Sequence, residues 1–344
     1  MAFSKPFVSI ITPVLNREEI VHSTIESIIE QKFQDWEHII VDDKSEDDTE
    51  SIVNKFAEKD SRIKLFRNET KVSGANRCRN IGMKAANGEY LIFIDSDDQF
   101  ADHCLEKRVE YLSSRSDLDF AVFPCLRFKE DLFDLNILLS SYKGDDVLPL
   151  FLKKDIPWGT LNPIYRKEKL FSKNIFWNEK ISIYQDIEFH IKTICRGLTF
   201  NIVDERPDCF WREHGNKNRN TNDKVECNLQ SNYHLLDSLY LELTKSNRLN
   251  KDYITLLIRF FLVESLRESI SIDKYDDFSN LADSLRQKQL INTLLFNLLM
   301  LVKRISILSI RKKAFIIIYK MLRKIYGKNN VKYFLTERYD AKKK

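Results

Sequence analysis

Asp95, Asp97 and Asp98 fall within four positions, directly after the apolar run Tyr90–Ile94. Like charges this close repel and raise one another's pKa, so the cluster predicts a positive partner. Asp42 and Asp43 repeat the arrangement at the end of "EHIIVDD". Helix capping by Asp47 or Asp48 ahead of Thr49 accounts for part of that second stretch. Capping needs one side chain, however, and leaves the pair at Asp42 and Asp43 unexplained. Carboxylates gathered on one rim are less costly when a divalent cation neutralises them. Hard oxygen donors suit Mg²⁺ or Mn²⁺, and Mg²⁺ often takes few carboxylates and completes its shell with substrate phosphates.

Other chemistries lack their residues. No GxGxxG follows the first apolar run and no GxxxxGK[ST] occurs, so neither a dinucleotide cofactor nor a P-loop is expected. The six cysteines form no CxxC pair, which argues against zinc and for reduced thiols in a cytoplasmic protein. No signal peptide is expected in Met1–Pro6, and His22, His38, His103, His190 and His234 show no ligand spacing.

The elements that must position the aspartates follow from periodicity. "FVSIITPVL" (Phe7–Leu15), "EHIIVDD" (Glu37–Asp43), "RIKLFRN" (Arg62–Asn68) and "EYLIFID" (Glu89–Asp95) read as buried strands. Between them Glu18–Gln31, Thr49–Lys59 and Gly74–Ala86 carry helical spacing. A helix over Asp102–Ser114 and a strand over Asp119–Pro124 extend the alternation. This order predicts a Rossmann-like α/β fold with a mostly parallel central sheet, whose ligands bind beyond the carboxyl ends of the strands. Both aspartate groups then meet on one rim.

Three stretches together resemble family 2 glycosyltransferases of the GT-A fold: "VSIITPVLN", "VDDKSEDDT" and "GANRCRNIGMKAANGEYLIFIDSDD". The likeness is dense over residues 6–125 and thinner over 155–215. It implies an enzyme that moves a hexose from a UDP-sugar to an acceptor hydroxyl, inverting the anomeric centre. Pro13 and Asn16 would line the nucleotide pocket, and Asp43 would bond the uracil. Arg79 and Asn80 would lie near the base or diphosphate. Asp97 would contact the ribose and Asp98 a Mn²⁺ or Mg²⁺ ion, with Asp95 in support. Arg212 or His214, in "CFWREH", could approach the diphosphate, and His214 is carried as a second metal-side candidate. The family's "ED" opening a helix corresponds to Gln185-Asp186, which makes Asp186 the candidate general base and Glu188 a second choice. Trp158 offers either a face for a sugar ring or a buried core side chain. Lys44 stands where the family often has Gly.

Beyond about residue 224 the pattern turns helical, at Val225–Ser246, Lys251–Ser271 and Phe278–Lys288. We therefore expect a catalytic unit over 1–224 and a helical extension over 225–344. Net charge is +4 overall, yet Gln287–Lys344 holds 15 Lys+Arg against 2 Asp+Glu. From Lys303 to Lys328 nine basic residues alternate with aliphatic ones and no acid occurs. The longest uncharged run there, Gln289–Val302, is 14 residues, too short to span a bilayer. The composition about 288–328 suits a helix lying on an anionic membrane surface, or one packed on its own domain. Nucleic acid is not expected, since stacking aromatics and a reading motif are lacking. A membrane-surface enzyme with a cytosolic donor implies a lipid-linked (undecaprenyl-diphosphate) saccharide acceptor, as in O-antigen or capsule assembly on the inner leaflet of the bacterial inner membrane. The rival readings are a sugar-nucleotide nucleotidyltransferase, which would want a Gly-rich loop after the first strand, and a non-catalytic assembly protein of the same fold.

Overall fold

The computed structural model describes residues 7–139, 142, 146–213, 224–263 and 276–291, with 295–297, 299–300, 314, 316–322, 324 and 336–338 beyond them. His214 and most of the basic stretch lie outside these residues.

The β-branched runs become strands buried on both faces: β1 (Val8–Val14), β2 (Trp36–Asp42) and, with a thinner cover, β3 (Ile63–Arg67). Helices α1 (Val21–Ile29), α2 (Thr49–Lys59) and α3 (Ala75–Ala85) connect them to one another and to β4 (Tyr90–Phe93). The chain continues through β5 (Gln99–Phe100), α4 (Cys104–Ser113), β6 (Phe120–Val122), β7 (Cys125–Phe128) and β8 (Ile137–Leu139). Then come α5 (Leu148–Lys153), β9 (Pro163–Arg166), α6 (Lys167–Ser172), α7 (Gln185–Cys195), β10 (Phe200–Ile202) and β11 (Cys209–Arg212). The extension holds α8 (Lys224–Lys245), α9 (Lys251–Ile258), a π-helical turn (Arg259–Val263), α10 (Asp276–Gln287) and β12 (Thr336–Arg338).

The main sheet runs β10-β6-β9-β4-β1-β2-β3. All neighbours are parallel except β9, which lies antiparallel between β4 and β6. The strand expected over Asp119–Pro124 ends at Val122. Pro124 has no N–H for a ladder, and the chain crosses there to a second sheet, β12-β8-β7-β11-β5.

Alternation along the strands sorts the core into two layers. Ile10, Ile40 and Ile92 face α1 and α4, while Ile11, Ile39 and Phe93 face α3 and α7. Leu235, Leu236 and Leu239 of α8 and Phe260 of the π-turn belong to this second layer. The extension therefore packs on α7 and α5 and joins one continuous apolar core with that face of the sheet. At two points backbone approaches closely. A Cβ at Gly82 would strike the Ile11 side chain, and one at Gly88 would stand 2.6 Å from the Ser9 backbone nitrogen.

Candidate active site

The loops after β1 and β2 are stitched together. Asn16 N–H donates to Ser45 Oγ (3.0 Å), and Asn16 Oδ1 accepts the Glu46 N–H (2.9 Å). Arg17 N–H donates to Thr49 Oγ1 (2.7 Å), Glu18 N–H to Asp47 (3.1 Å), and Asp48 N–H returns to the Glu18 carboxylate (2.9 Å). These bonds occupy Glu18, and α1 begins at Val21, later than periodicity predicts. Asp42 is buried and accepts the N–H groups of Lys44 and Ser45, each at 3.0 Å. That turn puts Lys44 at φ +67°, a left-handed conformation that favours glycine. Pro13 is buried in β1 opposite Val41. Asp43 is also buried, and its carboxylate accepts from Asn68 Nδ2 (2.7 Å), Ser73 Oγ (2.5 Å) and Gly74 N–H (2.6 Å).

At the end of β4 the chain turns, with Asp98 N–H bonded to Asp95 O at 3.1 Å. Asp98 is 1% exposed, and its Oδ1 accepts the Arg212 N–H at 2.9 Å. Burial, then the charges of Asp97 and Asp95, hold its carboxyl well above the usual carboxylate range. Arg212 shapes the same turn: Nε donates to Asp97 O (3.0 Å), Nη1 to Lys129 O (2.8 Å), and the guanidinium lies 4.4 Å from the Phe128 ring centroid.

Arg79 links this rim to α7. Its buried guanidinium donates to Asp95 Oδ1 (2.6 Å), Gln185 Oε1 (2.8 Å) and Asn76 Oδ1 (3.0 Å), and lies 4.6 Å from the Trp177 ring centroid. Asn80, one residue on, clamps Trp177 by accepting its N–H and donating to its carbonyl, each at 2.9 Å. Both side chains are committed to protein partners. Asp186 is half-buried at the start of α7, its Oδ1 2.9 Å from the Ile187 N–H. Burial pushes its carboxyl up to about 6, against the Ile187 hydrogen bond and the Arg79 charge. Glu188 is buried and paired with Lys192 at 2.7 Å, so it faces away from the rim. Trp158 is fully buried against Phe151 and Phe200, which leaves no face for a sugar. Sequence reasoning missed the stitched loops and the Asp95–Arg79–Gln185 bridge. Arg79 is one of three cations in α3, with Arg77 and Lys84, and its partners Asp95 and Gln185 are distant in the chain.

Residues 9–175 match the sequence profile of "Glycosyl transferase family 2". The chain is 30% identical over 207 residues to an uncharacterized glycosyltransferase, MJ1057, of Methanocaldococcus jannaschii, covering 58% of this chain and 69% of that protein. The chain belongs to glycosyl transferase family 2. A second relative in the family is the GalNAc(5)-diNAcBac-PP-undecaprenol beta-1,3-glucosyltransferase of Campylobacter jejuni, 32% identical over 199 residues, 54% of this chain and 62% of that one. Two further curated relatives are matched over 44% and 42% of their own length. Among solved structures, S. aureus TarS 1-349 in complex with UDP-GlcNAc superposes with a TM-score of 0.64 over 93% of this chain and 91% of that one. At 19% identity that likeness speaks for the fold, a GT-A α/β architecture with C-terminal helices.

Gln185 in place of the family's Glu keeps an acceptor oxygen for Arg79, so this departure preserves the bridge. For a metal, no group of three His, Cys, Asp or Glu side chains converges among the described residues. Asp98 beside Asp97 is instead a hard-oxygen donor set, in which burial and the charges of Asp97 and Asp95 raise the Asp98 carboxyl. It fits a cation that takes one or two carboxylates and draws its remaining ligands from phosphates.

Proposed function

We propose that this protein is an inverting glycosyltransferase that moves a hexose from UDP-glucose, UDP-galactose or UDP-N-acetylglucosamine to a hydroxyl of an undecaprenyl-diphosphate-linked saccharide. The observation that carries the reading is the convergence of the Asp98 turn and Asp186 on one rim, joined through Arg79. Pro13, Asn16 and Asp43 hold the nucleotide end, and Asp97 the ribose. Asp98, with Asp97 beside it, would hold a divalent cation, Mn²⁺ or Mg²⁺, which would supply positive charge for the departing diphosphate. Asp186 takes the proton of the acceptor hydroxyl as its oxygen bonds to the anomeric carbon and the bond to the diphosphate breaks. Arg212 keeps the Asp97–Asp98 turn in place. Residues 1–224 carry the chemistry and 225–344 the extension.

The acceptor class is supported by the Campylobacter relative, and the donor class by the nucleotide-bound structure. We further propose attachment to the cytoplasmic face of the inner membrane. No helix among the described residues is long and apolar enough to cross a bilayer. In the helical residues 316–322, Ile318 and Leu322 are buried while Ile317 and Met321 are exposed, and Lys320 and Lys324 share the exposed face. Aliphatic and basic residues on one face suit anionic headgroups.

The test is UDP release from a panel of UDP-sugars with Mn²⁺ and a synthetic lipid-diphosphate saccharide. No release by folded protein across the panel would overturn the reading. Asp98→Asn should abolish metal-dependent donor binding. Asp186→Asn should keep donor binding and lose turnover.

A further inference from the structure

The chain enters α7 through Ser182-Ile183-Tyr184, and elements beyond residue 224 hold all three. The Oγ of Ser231, buried on α8, accepts the N–H groups of Ser182 (2.9 Å) and Ile183 (3.2 Å). Tyr184 has φ +54°, a left-handed conformation that costs a side-chain-bearing residue about 1–2 kcal/mol. Its ring meets Phe260 edge-on at 5.3 Å. Lys154, buried and also left-handed at φ +61°, completes the cluster. Its Nζ lies 4.4 Å from the Tyr184 ring centroid and 4.1 Å from that of Phe260, and donates to the Tyr184 hydroxyl at 3.1 Å. Phe260 reaches this place from the π-helical turn. Such turns are frequent at functional sites. One turn into α7, Ser238 Oγ donates to Glu188 Oε1 at 2.5 Å.

Left-handed backbone at non-glycine residues persists only where the surroundings over-determine it. Two such residues and a π-turn meet beside the candidate base. We propose that the helical extension is a working part of the catalytic site: Ser231 and Phe260 are positioning residues that fix the Ser182–Tyr184 turn and thereby aim Asp186 at the acceptor hydroxyl. This rests on the reading of Asp186 as the base. The arrangement also gives the core shared between sheet and extension a task besides stability, because the turn loses its supports if the extension shifts.

The test uses the full chain with Ser231→Ala, Ser231→Thr and Phe260→Leu. Ser231→Ala and Phe260→Leu should lower kcat by about tenfold or more, the scale on which small misplacements of a catalytic group act. KM for the UDP-sugar should stay within about twofold, since donor contacts are untouched. Ser231→Thr, which keeps the hydroxyl, should restore kcat. Hydrogen exchange should quicken over residues 182–188 and stay unchanged over 42–49. A kcat near wild type in both folded variants, or quickened exchange spread over the whole chain, would overturn the proposal. If the wild-type protein transfers no sugar, the glycosyltransferase reading fails separately, and exchange alone decides whether the extension positions this segment.

Discussion

Asp186 joins two demands that oppose each other. A base must be ionised to accept a proton, yet burial holds this carboxyl up to about 6. The acceptor proton can be taken only above that value, so kcat at saturating donor should fall as pH drops through about 6. A profile flat down to pH 5 would remove Asp186 from the role. The same shift sets a stability cost. A carboxyl whose folded pKa lies above its unfolded value destabilises the fold once it ionises, and stability returns as pH falls below the folded pKa. Asp186→Asn should therefore raise unfolding free energy by about 1–3 kcal/mol at pH 7.5, and by little at pH 4, measured by urea titration. Lys44 carries a smaller strain. With φ +67° imposed by the Asp42 turn, Lys44→Gly should stabilise the protein by about 0.5–1 kcal/mol despite losing the Nζ contact to Thr70 O (2.6 Å).

At the scale of elements, Gly88 decides how β1 and β4 join. Gly88→Ala would press its methyl on Ser9 backbone, which cannot rotate away, and should cost about 1–3 kcal/mol in a urea titration. The parallel strands β1 to β4 and their helices were legible because burial on both faces leaves β-branched runs, and because the aspartates sit at strand ends. Partnership was less legible. "PIYR" is four residues long, and nothing local says that β9 runs antiparallel between β4 and β6. The site residues split in the same way. Asp98 and Asp186 announced themselves through charge at element ends. Arg79 and Asn80 looked like ligand contacts, yet hydrogen bonds to Gln185, Asp95 and Trp177 about 16–106 positions away commit them to protein. Ser231 gave no signal, since a lone serine in an amphipathic helix reads as filler until its acceptor oxygen is seen between two backbone N–H groups.

For the whole molecule, basic charge concentrates at the end of the extension, where Ile317 and Met321 are also exposed. Wild-type protein should co-sediment with vesicles containing phosphatidylglycerol and much less with pure phosphatidylcholine. Ile317→Glu with Met321→Glu should weaken that binding without lowering donor affinity, and undiminished sedimentation would place the membrane contact elsewhere. The antiparallel β9 has a consequence for how the chain is made. β4 pairs with β1 on one side, but its other neighbour begins at Pro163, about 70 residues later. At ribosomal rates of about 5–20 residues per second, an apolar edge of Tyr90–Phe93 waits roughly 4–14 s for its partner. During that interval the nascent sheet is a template for any extended strand nearby. The aspartates at its tip, Asp95, Asp97 and Asp98, are synthesised on time, but the surface behind them depends on a chaperone or on speed until β9 arrives.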